Sequence, residues 1–307
     1  MGAAIVTDGL TKRYGPKRAV DKLTFEVPQG SIFGFLGPNG AGKTTTFSLL
    51  CGFVRPSGGG ATVLGEPLSR LRKVHNRMSA LPQDARFHPA RRIRDALRFL
   101  GELGGMDRAQ ARREADRVLN AVGLQDSGDV KGRALSHGMA KRFGIAQAFM
   151  GSPDLVLLDE PTEGLDPRTA HSVRELIASL AKRSTVLVSS HNLSEVEDLC
   201  DHAAIIDHGK LIRQGSLAEL TESNEVMILT LGPGSPDPTL ALSSLPIVST
   251  IEASDSNELL RIILNPVKGE PVEKTVTEVL RAAIEAGALI SDVHRGRSLE
   301  ERFLELT

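Results

Sequence analysis

"SIFGFLGPNGAGKTTT", residues 31–46, decides the fold. Its opening, "IFGFL", is an unbroken apolar run of the kind that forms a strand covered on both faces. The continuation matches G-x-x-x-x-G-K-[ST], a loop that turns out of a strand and into a helix. Gly37, Gly40 and Gly42, spaced by Pro38, Asn39 and Ala41, let the backbone turn tightly and aim successive N–H groups inward. Those groups and the helix N-terminus cradle phosphate oxygens. Lys43 reaches the terminal phosphates, Thr44 offers a hydroxyl to Mg²⁺, and Thr45 follows in the first helical turn.

A phosphate loop needs a second element that handles metal and water. "LVLLDEPTEGLDP", residues 155–167, supplies it: an apolar strand delivers Asp159 and Glu160 at its end. By itself such an acidic pair is an ordinary solvated strand terminus. Beside a phosphate loop, Asp159 is placed to hold Mg²⁺ and Glu160 to polarise an attacking water.

Other apolar runs repeat the theme. Residues 154–159, 185–191 and 203–207 read as buried strands, and 168–183 as a helix between two of them. Strand and helix in alternation predict an α/β core with a parallel sheet. Residues 88–123, rich in Arg, Ala and Leu and without strand signal, mark an inserted helical subdomain spanning about 86–150. Near residue 222 the texture changes, and "LGPGSPDP" at 231–238 breaks the chain. The predicted division is residues 1–222 and a small α+β unit, 223–307, of ferredoxin-like character. Its helix carries Val272, Val276, Val279, Leu280, Ala283 and Ile284 on one face, opened by Pro271 and closed by Gly287. Ser298 and Glu301 form a capping-box pattern before a final "RFLEL" helix.

The bulk numbers narrow the setting. A formal net charge of −1 gives no overall field to recruit nucleic acid. Cys51 and Cys200 are too few for a disulfide framework and fit a reduced, cytosolic setting. The N-terminus lacks a basic start and long apolar run, and Val6 stands where a myristoylation signal needs Ser or Thr. No apolar run reaches the ~20 residues that span a bilayer. A soluble chain is expected, working at a membrane only through a partner.

Together these motifs resemble the ATP-binding subunit of an ABC transporter over about residues 4–222, with several motifs in the family's order. The resemblance implies a P-loop NTPase fold, RecA-like with the inserted helical subdomain. Tyr14 in "KRYG" matches the aromatic that stacks on adenine, and Gln83 in "LPQD" the glutamine that links Mg²⁺ to the membrane partner. Asp166 in "GLD" matches the loop that crosses the dimer interface, and His191 in "SSHNLSEVE" the histidine at the γ-phosphate.

"LSHGMAK", residues 135–141, sets Ser136 beside His137, as half of a hydrolase site would. It lacks the G-x-S-x-G elbow and a third group, so that reading fails. It resembles the family's signature loop, LSGGQ, whose Ser and second Gly, here Ser136 and Gly138, contact the γ-phosphate held by an opposite subunit. His137 and Met139 depart from that pattern, and the helix is expected to follow over 140–150.

The resemblance implies an ATPase using ATP and Mg²⁺, closing as a homodimer or a heterodimer with a similar subunit. It also implies a separate transmembrane permease, a position on the inner face of the cell membrane, and no nucleic acid. The basic run Arg86, Arg91, Arg92, Arg94 and Arg98 lies where the permease docks in that family. The tail resembles that of export-type members. Two alternatives are weighed against this. A soluble ABC ATPase acting on nucleic acid or ribosomes would carry tandem cassettes or a long coiled-coil insertion, absent between Lys43 and Asp159. A binding module without turnover would follow from a spoiled signature at His137, against which Glu160 and His191 stand intact.

Overall fold

A computed structural model of the chain describes residues 2–221, 226–254, 258–265 and 272–295. It divides into two compact units, Met1–Leu217 and Ala218–Thr307. The first unit begins with β1 (Ala3–Tyr14), β2 (Lys17–Leu23), β3 (Glu26–Pro28), β4 (Ile32–Leu36), α1 (Lys43–Leu50), β5 (Gly58–Val63) and β6 (Glu66–Pro67). Then come β7 (Met78–Leu81), α2 (Ile93–Leu103), α3 (Arg108–Ala121), α4 (His137–Ala148), β8 (Leu155–Asp159) and α5 (Pro167–Leu180). It ends with β9 (Thr185–Ser190), α6 (Leu193–Leu199), β10 (His202–Asp207) and β11 (Lys210–Ser216).

The six-stranded sheet has the order β11-β10-β4-β9-β8-β7. Its strands are parallel except for β11, which pairs antiparallel along the edge. Both faces are covered, which explains the unbroken apolar runs. In β8, Leu155 and Leu157 join one core with Phe33, Phe35 and Phe47, while Val156 and Leu158 join a second. That second core also takes Ile93 and Leu97 of α2, Val118 and Leu119 of α3, and Phe143 of α4. The inserted helices therefore share a continuous core with the sheet.

The sequence did not announce the other sheet, β2-β1-β5-β6 with β3 paired to β1. Its strands mix buried and exposed positions irregularly, β1 is broken by register shifts, and β5 opens on three glycines. Those features hide the period-2 signal.

In the second unit, α7 (Leu217–Thr221) begins at the boundary, followed by β12 (Val226–Leu231), α8 (Thr239–Ser243), β13 (Val248–Ala253), β14 (Leu259–Leu264), α9 (Val272–Glu285) and β15 (Ile290–Arg295). The sheet order β13-β14-β12-β15 with antiparallel neighbours is the split βαβ, or ferredoxin-like, arrangement. Val276, Val279, Leu280 and Ala283 of α9 pack on its core. Ile284, expected on the same face, is instead 61% exposed. Ala283 already fills the core side of that turn, and the next residue swings about 100° around the helix. Gly287 follows the helix with φ 85, a left-handed stop. Pro271, Ser298, Glu301 and the "RFLEL" segment lie outside the described residues.

Candidate active site

Register in the parallel sheet gathers the site. Phe35 of β4 aligns with Ser189 of β9, and Ser189 aligns with Asp159 of β8. The carboxyl ends of three strands therefore open on one edge, where α/β sheets place their ligands. From that edge leave the phosphate loop, the Asp159–Glu160 turn and His191.

The loop has the shape a phosphate needs. Gly42 sits at φ 105, and a Cβ there would lie 2.4 Å from the carbonyl oxygen of Ala19. A Cβ on Gly37 would meet the carbonyl oxygen of Ile206 at the same distance. α1 then starts at Lys43 with no acidic residue in its first turn, leaving its positive end for an anion. A cavity of about 380 Å³ opens there, lined by Asn39, Gly40, Gly42, Lys43, Thr44 and Thr45, and also by Lys17, Gln83, Glu160 and Glu163.

Lys43 is nearly buried. Its ammonium donates to the carbonyls of Gly37 (2.7 Å) and Pro38 (3.3 Å) and pairs with Glu160 Oε1 at 3.2 Å. Only 6% of the lysine side chain and 5% of the glutamate side chain reach solvent. The two carbonyls take hydrogen bonds, whereas Glu160 Oε1 has no hydrogen-bond partner and only the ion pair, which leaves the third N–H donor for an arriving phosphate.

Glu160 is held from all sides. Its second oxygen, Oε2, lies 3.0 Å from His191 Nδ1. Its backbone N–H donates to Ser189 Oγ at 3.0 Å, and its carbonyl accepts from Lys141 Nζ at 3.2 Å. Its φ is 48, a left-handed conformation that costs a non-glycine residue on the order of 1–3 kcal/mol. Asp159, buried beside it, accepts from Ser189 Oγ at 2.5 Å. One serine thus fixes the Asp159 carboxylate and the Glu160 backbone.

Gln83 sits just past β7 and donates its amide Nε2 to Glu163 Oε2 at 2.5 Å. That donation turns the amide oxygen away from the carboxylate. Tyr14, 49% exposed at the end of β1, does not line the phosphate cavity, although its hairpin neighbour Lys17 does. The Lys12 ammonium lies 5.1 Å from its ring centroid. Asp166 caps α5, accepting from the Thr169 N–H at 3.0 Å, and hydrogen bonds from Thr169 lower its pKa.

The signature loop lies apart from this cavity. Ser136 caps α4, accepting from the Met139 N–H at 3.3 Å, so the helix begins at His137 and not at Ala140. His137 and Gly138 consequently form its first turn. The exposed His137 stands beside the loop after β8: a Cβ on Gly164 would lie 3.3 Å from His137 Nε2. A Cβ on Gly138 would meet Thr169 at 3.3 Å. Neither Ser136 nor Gly138 lines the phosphate cavity of its own chain.

The oxygen donors Thr44, Gln83 and Asp159 fit Mg²⁺, which takes few protein ligands beside substrate phosphates. Among the described residues, no cluster of three or more His, Cys, Asp or Glu forms a separate metal cage. Sequence reasoning missed Ser189, Lys141 and Glu163. The strand ending "SSH" held a signal for Ser189; the other two contacts exist only in three dimensions.

Comparison with known proteins agrees. The ABC transporter family model matches residues 20–163. The Nod factor export ATP-binding protein I of Paraburkholderia xenovorans is 35% identical over 99% of this chain and 97% of its own length. The daunorubicin/doxorubicin resistance ATP-binding protein DrrA of Streptomyces peucetius is 40% identical over 74% of this chain and 70% of its own. Among solved structures, an ABC transporter component from Clostridium perfringens superposes with a TM-score of 0.65 at 25% identity, covering 72% of this chain and 91% of that one. The ADP-bound form of another ATP-binding cassette gives 0.64 at 23% identity, over 71% and 93%. The chain belongs to the ABC transporter family as an ATP-binding, ATP-hydrolysing subunit with the P-loop NTPase fold.

Proposed function

We propose that this chain powers export through a separate membrane-spanning partner, hydrolysing ATP between two copies of itself. The convergence of Lys43, Glu160 and His191 on one sheet edge carries the reading. Export is supported by the relatives, whose names describe Nod factor export and drug resistance. No helix among the described residues is long and apolar enough to cross a membrane, and a separate permease is supported by relatives named as export and resistance ATP-binding proteins. The subunit then sits on the inner face of the cell membrane, with residues 1–222 as the ATPase and 223–307 as an accessory unit.

The chemistry follows from the contacts. The loop N–H groups and Lys43 receive the phosphates, with Tyr14 on the adenine. Thr44 and Gln83 of the phosphate cavity and Asp159 of the neighbouring one would hold Mg²⁺, which would neutralise phosphate charge. As Lys43 turns to the γ-phosphate it releases Glu160 Oε1, the oxygen that then takes a proton from the attacking water. His191 keeps Oε2 in place through Nδ1 and meets the γ-phosphate with its other nitrogen. Ser136 and Gly138, remote from their own chain's cavity, serve a second copy, whose closure across the Asp166 loop excludes bulk water. Phosphoryl transfer relies on such positioning and charge neutralisation.

The test is steady-state ATP turnover by the purified chain and by Glu160→Gln. Mg²⁺-dependent turnover that the variant loses, with ATP binding kept, supports the reading. Equal turnover in both overturns it.

A further inference from the structure

Lys141 lies in α4 five residues beyond the Ser136 cap, and its ammonium donates to the carbonyl of Glu160 at 3.2 Å. The carbonyl it grips belongs to the residue whose backbone is left-handed. Rotating the Glu160 backbone out of the left-handed region would relieve the conformation, and it would also re-aim the Glu160 side chain relative to Lys43 and His191. Two bonds, one on each peptide flanking the Glu160 Cα, oppose that rotation. Ser189 holds the N–H from β9, and Lys141 holds the carbonyl from α4. Ser189 is part of the rigid sheet. Lys141 rides on the helix whose first turn is His137 and Gly138. It also lines a second cavity of about 520 Å³ that includes His137, Asp159 and Glu163, so space exists beside it for the helix to shift.

We propose that Lys141 is a positioning residue that makes the geometry of Glu160 depend on the placement of the signature helix within the same chain. A second copy pressing on Ser136 and Gly138 then sets, through α4 and Lys141, the aim of Glu160 in the chain whose signature is engaged. This rests on Glu160 being the residue that activates water. Lys141 does not line the cavity at the phosphate loop. Its contribution is to the chemical step, leaving nucleotide binding alone.

The experiment compares full-length wild type, Lys141→Met, Lys141→Arg and Glu160→Gln in ATP turnover across ATP concentration. Lys141→Met is expected to lower kcat about tenfold or more, the scale of misplacing a catalytic group, with KM for ATP unchanged. Lys141→Arg, which can still donate to the carbonyl, recovers most of the loss. Unchanged kcat in Lys141→Met overturns the inference. So does a rise in KM at constant kcat, or an equal loss in both Lys141 variants, which marks a general packing defect. Glu160→Gln separates the two levels. If it is inactive while Lys141→Met is normal, only the role of Lys141 falls. If it turns over normally, the assignment of Glu160 falls with it.

Discussion

Lys43 Nζ and Glu160 Oε1 form an ion pair 3.2 Å long that is almost sealed from solvent. The Lys43 ammonium and the Glu160 carboxylate compensate each other's charge, although Oε1 takes no hydrogen bond. Both charges would otherwise stand nearly unsolvated, at high cost. In the proposed mechanism ATP breaks this pair, and the same exchange that binds the γ-phosphate frees the base.

Removing the anion therefore has two opposite effects. Glu160→Gln is expected to lower the stability of the nucleotide-free chain by about 1–3 kcal/mol, since Lys43 loses its counter-charge. It is also expected to tighten ATP binding, because the phosphate no longer competes with a carboxylate. Urea unfolding with and without ATP measures both. The variant gains more stability from ATP than wild type does.

Ser189→Ala tests the shared anchor. The change strips the Ser189 hydroxyl from Asp159 and from the Glu160 N–H together. A loss of about 1–3 kcal/mol in stability is expected for buried groups left unpartnered. Turnover falls as well, with KM for ATP changed less than kcat. Wild-type turnover in this variant would show that neither carboxylate needs the bond.

Away from the site, Glu114 holds α3 to the end of α4. Burial raises its pKa, but the Arg117 guanidinium and the Gly151 N–H outweigh it and bring the value below the ordinary one. A lowered folded pKa gives stability that is present above the unfolded value and lost as pH falls through the folded one. Glu114→Gln is thus expected to cost about 1 kcal/mol at pH 7, kept small by partial exposure. The difference from wild type should begin to shrink as pH falls past about 4 and vanish once pH lies below the lowered folded value. Thermal unfolding between pH 3 and 7 follows it.

Both thiols are inert by their surroundings. Burial, and then the Asp159 charge, push the Cys51 thiol up to about 12, and burial likewise raises Cys200. The reactive thiolate is scarce at pH 8. Iodoacetamide should label neither residue in the folded chain and both in urea, counted by mass spectrometry.

What the sequence made legible was whatever chemistry is written locally. The strand–loop–helix around Gly37–Lys43 and the Asp159–Glu160 strand end announce themselves because their residue types are demanded by phosphate and metal. The parallel core is legible for a similar reason, since strands buried on both faces cannot alternate. Lys141 and Glu163 were not legible, and Ser189 was hinted at only by the strand ending "SSH". Their partners come from pairing register or helix placement, and no local pattern encodes those. The start of α4 was misjudged because Ser136, singled out for phosphate, also serves as a helix cap. The β1–β2–β5 sheet escaped because irregular burial and glycines blur its period.

The central claim is that one site is completed by a second copy of the chain. Light scattering after gel filtration of Glu160→Gln, with and without Mg-ATP, tests it most directly. A monomer that becomes a dimer only with Mg-ATP, and remains a monomer when Ser136→Arg is added to block the closing face, is the predicted result. A chain that binds ATP and stays monomeric at every concentration would contradict the claim.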